Sequence, residues 1–292
     1  MLPVPELIEM EIRPSSSTHP SLGTYKSPGH LFRYSKTLTR TGKNYYDLKA
    51  QIPEGSRMST AAEDLAIQLP YERIGRIVRA AKINLGELEG KDFGYIASAL
   101  NLDEMGKADL KLILDIEGGE LVTDPRMAKP FNDLFARENN GWYAWQWTET
   151  GLRVPKGWED GRSQKDAKGN IYVPRIVLIG DQEVDETPVP EGNGRVVVEW
   201  NEVFGIPSLT TNEGDATNQK NHTTHFYLNA NPDVDERTGR QDVAVARGSR
   251  WHDDVHVRCL SVRARYGRWY ADGDVSFRQV QGSVPVIEKL PA

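Results

Sequence analysis

The chain has 292 residues, of which 38% are hydrophobic and 27% charged, so it is long enough for one large or two ordinary domains of globular composition. A formal net charge of −6 and a pI near 5.6 argue against the phosphate backbone as main partner, and no nucleic acid is expected. The single cysteine, Cys259, excludes an internal disulfide framework and an all-cysteine metal site, which leaves burial as the source of stability.

In chain order, Met1 to Glu11 carries Glu6, Glu9 and Glu11 and lacks both a basic n-region and an apolar h-region, so no secretory signal is expected. No apolar run approaches the roughly eighteen residues that span a bilayer, so no membrane insertion is expected. Residues 12–30 are rich in Pro, Ser, Thr and Gly and predict an irregular N-terminal segment, residues 1–30, with the ordered body starting near Leu31. Thr60-Ala61-Ala62-Glu63 reads as a capping box opening a helix in which Ala62, Leu65, Ala66 and Leu69 share a face, stopped by Pro70. A second helical pattern runs through Ile74, Ile77, Val78 and Ala81, with shorter ones at Tyr95 to Leu100 and Pro130 to Arg137.

From Gly141 the pattern changes to short β-rich runs: Trp142 to Thr148, Tyr172 to Ile179, Arg195 to Trp200, Asp242 to Ala246, Val257 to Ala264 and Asp274 to Val280. Helices early and strands late predict an α+β fold. Trp158 to Asn170 and Ser208 to Arg240 are polar and read as long loop insertions at the surface. With no internal repeat and no convincing linker, residues 31–292 are expected to form a single domain.

Four landmarks then fall in order. Arg57-Met58-Ser59-Thr60-Ala61-Ala62-Glu63 is close to R-x-[ST]-x-x-E with one residue more before the Glu, Trp145-Gln146-Trp147-Thr148 has the form W-x-W-T, Arg247-Gly248-Ser249-Arg250-Trp251 is close to RGGSW, and Val275-Ser276-Phe277-Arg278 is close to xGFR. In this order they resemble the formylglycine-generating-enzyme branch of the C-type lectin fold, with Arg250 and Ser276 as departures from its pattern. Within that branch the chain resembles the variable proteins of diversity-generating retroelements, in which the fold holds a C-terminal variable region made by adenine-directed mutagenesis.

The resemblance implies a variable region at about residues 247–278 that engages a protein or other surface ligand, displayed by a virus or microbe on a virion or cell surface. His252, Asp253, Val255, His256, Arg263, Arg265, Tyr266, Gly267, Arg268 and Tyr270 are all reachable from an Asn codon by changing adenines alone, and Asp254 lies among them. Strand alternation agrees with that placement: with Leu260, Val262 and Ala264 inward, Ser261, Arg263 and Arg265 face out. The next loop adds Tyr266, Arg268, Trp269 and Tyr270, a composition suited to a binding hot spot. His252, Asp253, Asp254 and His256 would form the facing rim. The competing reading makes the arginines a solvated strand face and the aromatics core.

Other constellations carry less. Enzymatic members of the fold need a copper-binding cysteine pair or a histidine-rich iron site; one cysteine leaves no catalytic residues to assign, and a formylglycine-generating or sulfur-oxidising metalloenzyme stands as the alternative function. His222-Thr223-Thr224-His225 has helical metal-pair spacing in a loop-like context, so no metal ligand is assigned. A structural calcium ion is compatible with the fold, and Asn229, Asn231, Asp233 and Asp235 offer hard oxygen ligands; no other cofactor is expected. Alternation puts Trp145 and Trp147 on one face, and the resemblance of Trp145-Gln146-Trp147-Thr148 to the family's W-x-W-T strand implies that this face is core.

Overall fold

The structure is a computed structural model and describes residues 5–19, 23–36, 39–40, 42–83, 85–117, 119, 145–165, 171–190, 193–207, 221–229, 231–247, 262–264, 266–271 and 275–290. The N-terminal part carries β1 (Leu7–Ile12), β2 (Ser15–His19), β3 (Gly23–Ser27), β4 (His30–Ser35), β5 (Thr39–Arg40), the short helix α1 (Tyr45–Lys49) and β6 (Ser56–Met58). Helices α2 (Ala61–Ala81), α3 (Phe93–Ala99) and α4 (Glu104–Glu117) follow. The strands β7 (Trp145–Arg153), β8 (Gln164–Lys165), β9 (Ile171–Ile179), β10 (Gln182–Pro190), β11 (Asn193–Asn201) and β12 (Ile206–Pro207) come next. The chain closes with β13 (Asn221–Leu228), β14 (Asp242–Arg247), β15 (Val262–Ala264), β16 (Val275–Phe277), β17 (Gln279–Gln281) and β18 (Glu288–Leu290).

Strand outweighs helix, about 40% against 24%, and the class is mixed α+β. The largest sheet runs β10-β9-β7-β14-β15-β13-β11-β12, with β16 joining β5 to β7 and β8 on β9. A four-stranded sheet, β1-β4-β17-β6, and a three-stranded one, β18-β3-β2, tie both chain ends to the body. No helix among the described residues is long and apolar enough to cross a membrane.

Several expectations are corrected. The segment read as irregular contributes β1, β2 and β3, and Tyr25 in β3 is buried with its ring edge-on to Phe204 at 5.2 Å. The Ser- and Thr-rich β2 pairs with β3, which is in turn held by β18 in the register Lys26↔Glu288 and Thr24↔Leu290, a partner that lies at the other end of the chain. Pro70 does not stop α2. Its missing donor costs about 3 kcal/mol, but Ile67, Tyr71, Ile74 and Val78 are fully buried around it, and each contributes roughly 1.5–3 kcal/mol. The two helices read from the sequence are therefore one. Strand β13 runs through the stretch taken for a surface insertion and sits between β15 and β11. The expected run from Asp274 to Val280 is split at Arg278, because β16 pairs with β7 in one sheet and β17 with β4 and β6 in another. Strand β10, which no alternation announced, is an edge strand, where Pro188 and Pro190 need no ladder donor on their open side. The helix expected at Pro130 to Arg137 lies outside the described residues.

The landmark residues are joints of this frame. Thr60 Oγ1 accepts from Glu63 N and Glu63 Oε2 accepts from Thr60 N, at 3.2 and 2.7 Å, which completes the expected capping box. Both guanidinium ends of Arg57 donate to the Glu63 carboxylate, Nη1 to Oε2 at 2.7 Å, and His30 Nε2 meets Oε1 at 2.8 Å. Arg247 donates from Nε and Nη2 to Gln68 Oε1 and from Nη1 to Gly205 O, stacking on the Trp200 ring at 4.7 Å. Arg278 Nη1 donates to the carbonyls of Ser35 and Lys36, both at 2.9 Å. Trp145 and Trp147 are buried, as expected, with Tyr45, Leu48, Met58, Ala244, Ala246 and Phe277 in a cluster separate from the main core.

Two adjacent carboxylates in α2 are pushed in opposite directions. Burial raises Glu63, but hydrogen bonds from Arg57 and His30 outweigh it and hold the group at about 2. Burial of Asp64 wins over its hydrogen bond from Tyr34 and the charges of Arg247 and Arg278, and raises it to about 6. Glu63 thus contributes stability that is present above pH 4.5 and lost as pH falls through 2. For Asp64 the contribution is present below pH 3.8 and lost as pH rises through 6. Asp64→Asn is expected to flatten the decline in unfolding free energy between pH 4 and 6, a change on the order of 3 kcal/mol. Urea unfolding across that range checks this, and an unaltered slope contradicts it.

Candidate functional site

After β15 the chain makes a tight turn at residues 266–270 that is closed by one backbone hydrogen bond of its own and clamped by two more from neighbouring elements. Ala244 N donates to Tyr266 O at 3.0 Å, Tyr270 N donates to Gly267 O at 3.0 Å, and Tyr45 N donates to Arg268 O at 3.1 Å. The turn therefore rests on both β14 and the first residue of α1. That helix starts where its sequence says it should, with Asn44 Oδ1 accepting from Asp47 N at 2.9 Å.

The clamped backbone projects aromatic side chains. Tyr266 and Tyr270 stack with ring centroids 4.1 Å apart and planes 8° apart, and Trp269 meets Tyr270 edge-on at 6.4 Å. Trp269 is 40% exposed and both tyrosines are half-buried. Gly267 has no room for a side chain, because a Cβ would lie 2.4 Å from the Trp269 indole nitrogen. The result is a fixed aromatic ledge whose members order little on contact, the economy expected of rigid anchors.

Arg268 goes the other way and corrects the expectation of an exposed anchor: it is 7% exposed. Its guanidinium carbon lies 4.4 Å from the centroid of the Tyr45 ring and packs on the bare Cα of Gly151, where a Cβ would come within 2.7 Å of Nη2. Burial raises the Tyr45 hydroxyl above the usual phenol range, with Arg268 opposing and the hydrogen bond to Glu149 Oε2, 2.6 Å, reinforcing. Burial and the Asp235 carboxylate push Tyr46 up to about 12. Arg237 covers the Tyr46 ring at 5.0 Å.

Val262 and Ala264 are buried, as strand alternation required. Arg263 takes a central place in β15, its Cα paired with Tyr227 on one side and Ala246 on the other. His252, Asp253, Asp254, Val255, His256 and Arg265 lie outside the described residues, as do Cys259, Leu260, Trp142 and Tyr143. Gly267 is buried within the turn. The residues that sequence reasoning missed are Tyr45, Tyr46, Gly151 and Arg237, and Asp235 entered it only as an oxygen donor for calcium. The Asn44-x-x-Asp47 cap with its tyrosine pair was a usable signal for α1, but nothing local ties it to a turn more than 200 residues away.

For the oxygen donors proposed for calcium, Asn229 Oδ1 accepts from Asn231 N and Asn231 Oδ1 from the Gln241 side chain, at 3.3 and 2.8 Å. Asp235 is buried and accepts from the Tyr46 hydroxyl and from Arg237 N. These three are thus committed to local bonds. His222 and His225 fall in strand β13 instead of a loop. Among the described residues no group of three or more His, Cys, Asp or Glu side chains converges as metal ligands do.

No family model, no curated protein and no solved structure matches this chain.

Proposed function

We infer that this chain is a non-enzymatic ligand-binding protein of a virus or microbe, in which a C-type lectin frame of the formylglycine-generating-enzyme type presents a diversified contact surface built from residues 247–278. The observation that carries the reading is a division of labour. The four landmarks that suggested the resemblance supply buried joints, Arg57 with Glu63, Trp145 with Trp147, Arg247 with Gln68, and Arg278 with the Ser35 and Lys36 carbonyls. Between the last two, the turn at 266–270 keeps an aromatic ledge at the surface on a clamped backbone. Tyr266 packs in part on the Trp145–Trp147 cluster, which leaves Trp269 and Tyr270 as the freer members of a rigid aromatic contact area, the kind that replaceable recognition requires.

The test is the DNA flanking the coding sequence. A near-copy of the 3′ end that differs mainly at adenines, beside a reverse transcriptase gene, is expected; absence of both removes the reading. At the protein level, Tyr270→Ala is expected to lower unfolding free energy by less than about 1 kcal/mol, against about 3–5 for Trp145→Ala in the buried cluster. Equal losses in chemical denaturation would make Tyr270 core and deprive the ledge of its role.

A further inference from the structure

We propose that Arg268 is the anchoring cation of this surface and receives a carboxylate of the partner on its Nε–Nη2 edge. The inference rests on the reading of residues 266–270 as a contact surface and adds the chemical class of what is contacted.

The observation is an unused fork. Nε and Nη2 of an arginine lie on one edge and match the two oxygens of a carboxylate. This protein uses that edge repeatedly: Arg73 gives both atoms to Asp109 at 2.6 and 2.8 Å, Arg153 gives both to Asp242 at 2.6 and 2.8 Å, and Arg247 gives both to Gln68 Oε1. In Arg268 the same two atoms are buried and have no hydrogen-bond partner among the described residues. Among the described residues, the carboxylates whose charge reaches Tyr45 and Tyr46 are engaged elsewhere. Glu149 holds Tyr45, Asp235 holds Tyr46, Asp242 holds Arg153 and Asp181 holds Lys49. A buried donor left unmade is costly, and a buried cation more so. The Tyr45 ring is what retains it, through a contact weaker than a bidentate ion pair.

Such a residue is held against stability and in favour of binding. Because both donors are covered in the free protein, docking draws the side chain off the Tyr45 ring toward the incoming carboxylate, and the Tyr266–Tyr270 stack, in the same turn, offers a flat apolar face to whatever carries that group. A partner presenting an aromatic or apolar group next to a carboxylate meets both.

The experiment uses the full chain, with benzoate as probe and benzamide as its neutral isostere, followed by the Arg268 Nε–H resonance in nitrogen-correlated NMR. Benzoate is expected to shift that resonance saturably and benzamide to leave it in place. Arg268→Gln should weaken benzoate binding, read on the Tyr266 and Tyr270 ring signals, by at least about tenfold. Arg268→Met, which keeps volume and removes the unmet charge, should melt within about 2 °C of the parent or higher. A resonance indifferent to benzoate, an equal response to benzamide, or a marked fall in melting temperature for Arg268→Met would each overturn the assignment. Failure of the coding-DNA test would leave the benzoate result standing, so the two readings fail separately.

Discussion

Glu63→Ala is expected to cost about 3–5 kcal/mol of unfolding free energy, since it strands the Arg57 guanidinium, itself nearly buried, without a counter-charge. The same carboxylate caps α2 through Thr60 N and receives His30, so the loss includes about 1 kcal/mol of helix capping. Removing both charges at once tests the mechanism: Arg57→Met with Glu63→Leu should recover much of the loss, because two apolar groups leave no buried charge unmet. Glu104→Ala is the control. It breaks an ion pair with Lys107 in which both partners are exposed, and should change stability by less than about 0.5 kcal/mol. Urea denaturation of the four proteins decides it, and a loss below about 1 kcal/mol for Glu63→Ala would mean that the pair is incidental.

Gly205→Ala is expected to be comparably damaging, by a different route. Gly205 adopts φ +69°, and a Cβ there would lie 2.1 Å from the carbonyl carbon of Ala61, the first residue of α2. The left-handed backbone costs a residue with a side chain about 1–2 kcal/mol, and the clash is with backbone, which no rotamer relieves. Either the turn at 201–205 or the start of α2 must move, and with it Gly205 O, the acceptor for Arg247 Nη1 at 2.7 Å. A total loss of at least about 3 kcal/mol is expected, with broadened signals from Trp200. Gly239→Ala separates the two causes, since φ is +65° there with nothing within 4 Å of the added carbon. It should show the strain alone, about 1 kcal/mol. Similar losses for the two variants would remove the close approach from the explanation.

The arginines show how far the sequence could be read. Arg57 and Glu63 lie six residues apart around a capping signature, and their pairing is local enough to anticipate. The positions of Val262 and Ala264 followed from alternation along one strand. Arg268 did not follow, because an arginine in a Gly- and Tyr-rich turn reads as exposed. What buries it is the absence of a side chain at Gly151 and a ring at Tyr45, contributed by a strand and a helix far away in the chain. The N-terminal strands failed to announce themselves for the same reason. In β2 and β3, Ser and Thr leave the backbone undecided between turn and ladder, and the three-stranded sheet completed by β18 decided it; β1 was decided by β4.

By itself, then, the order of residues determined the α+β class, the cap that begins α2, the inward Val262 and Ala264, and one shared strand face for Trp145 and Trp147, because periodicity and capping act over a few neighbours at a time. Only the tertiary structure decided that Pro70 lies within a helix, that β13 is interior to a sheet, that Arg247 and Arg278 are joints, and that the Arg268 fork is buried and unmet. Those outcomes depend on partners tens to hundreds of residues distant, whose burial and close approach outweigh any local preference.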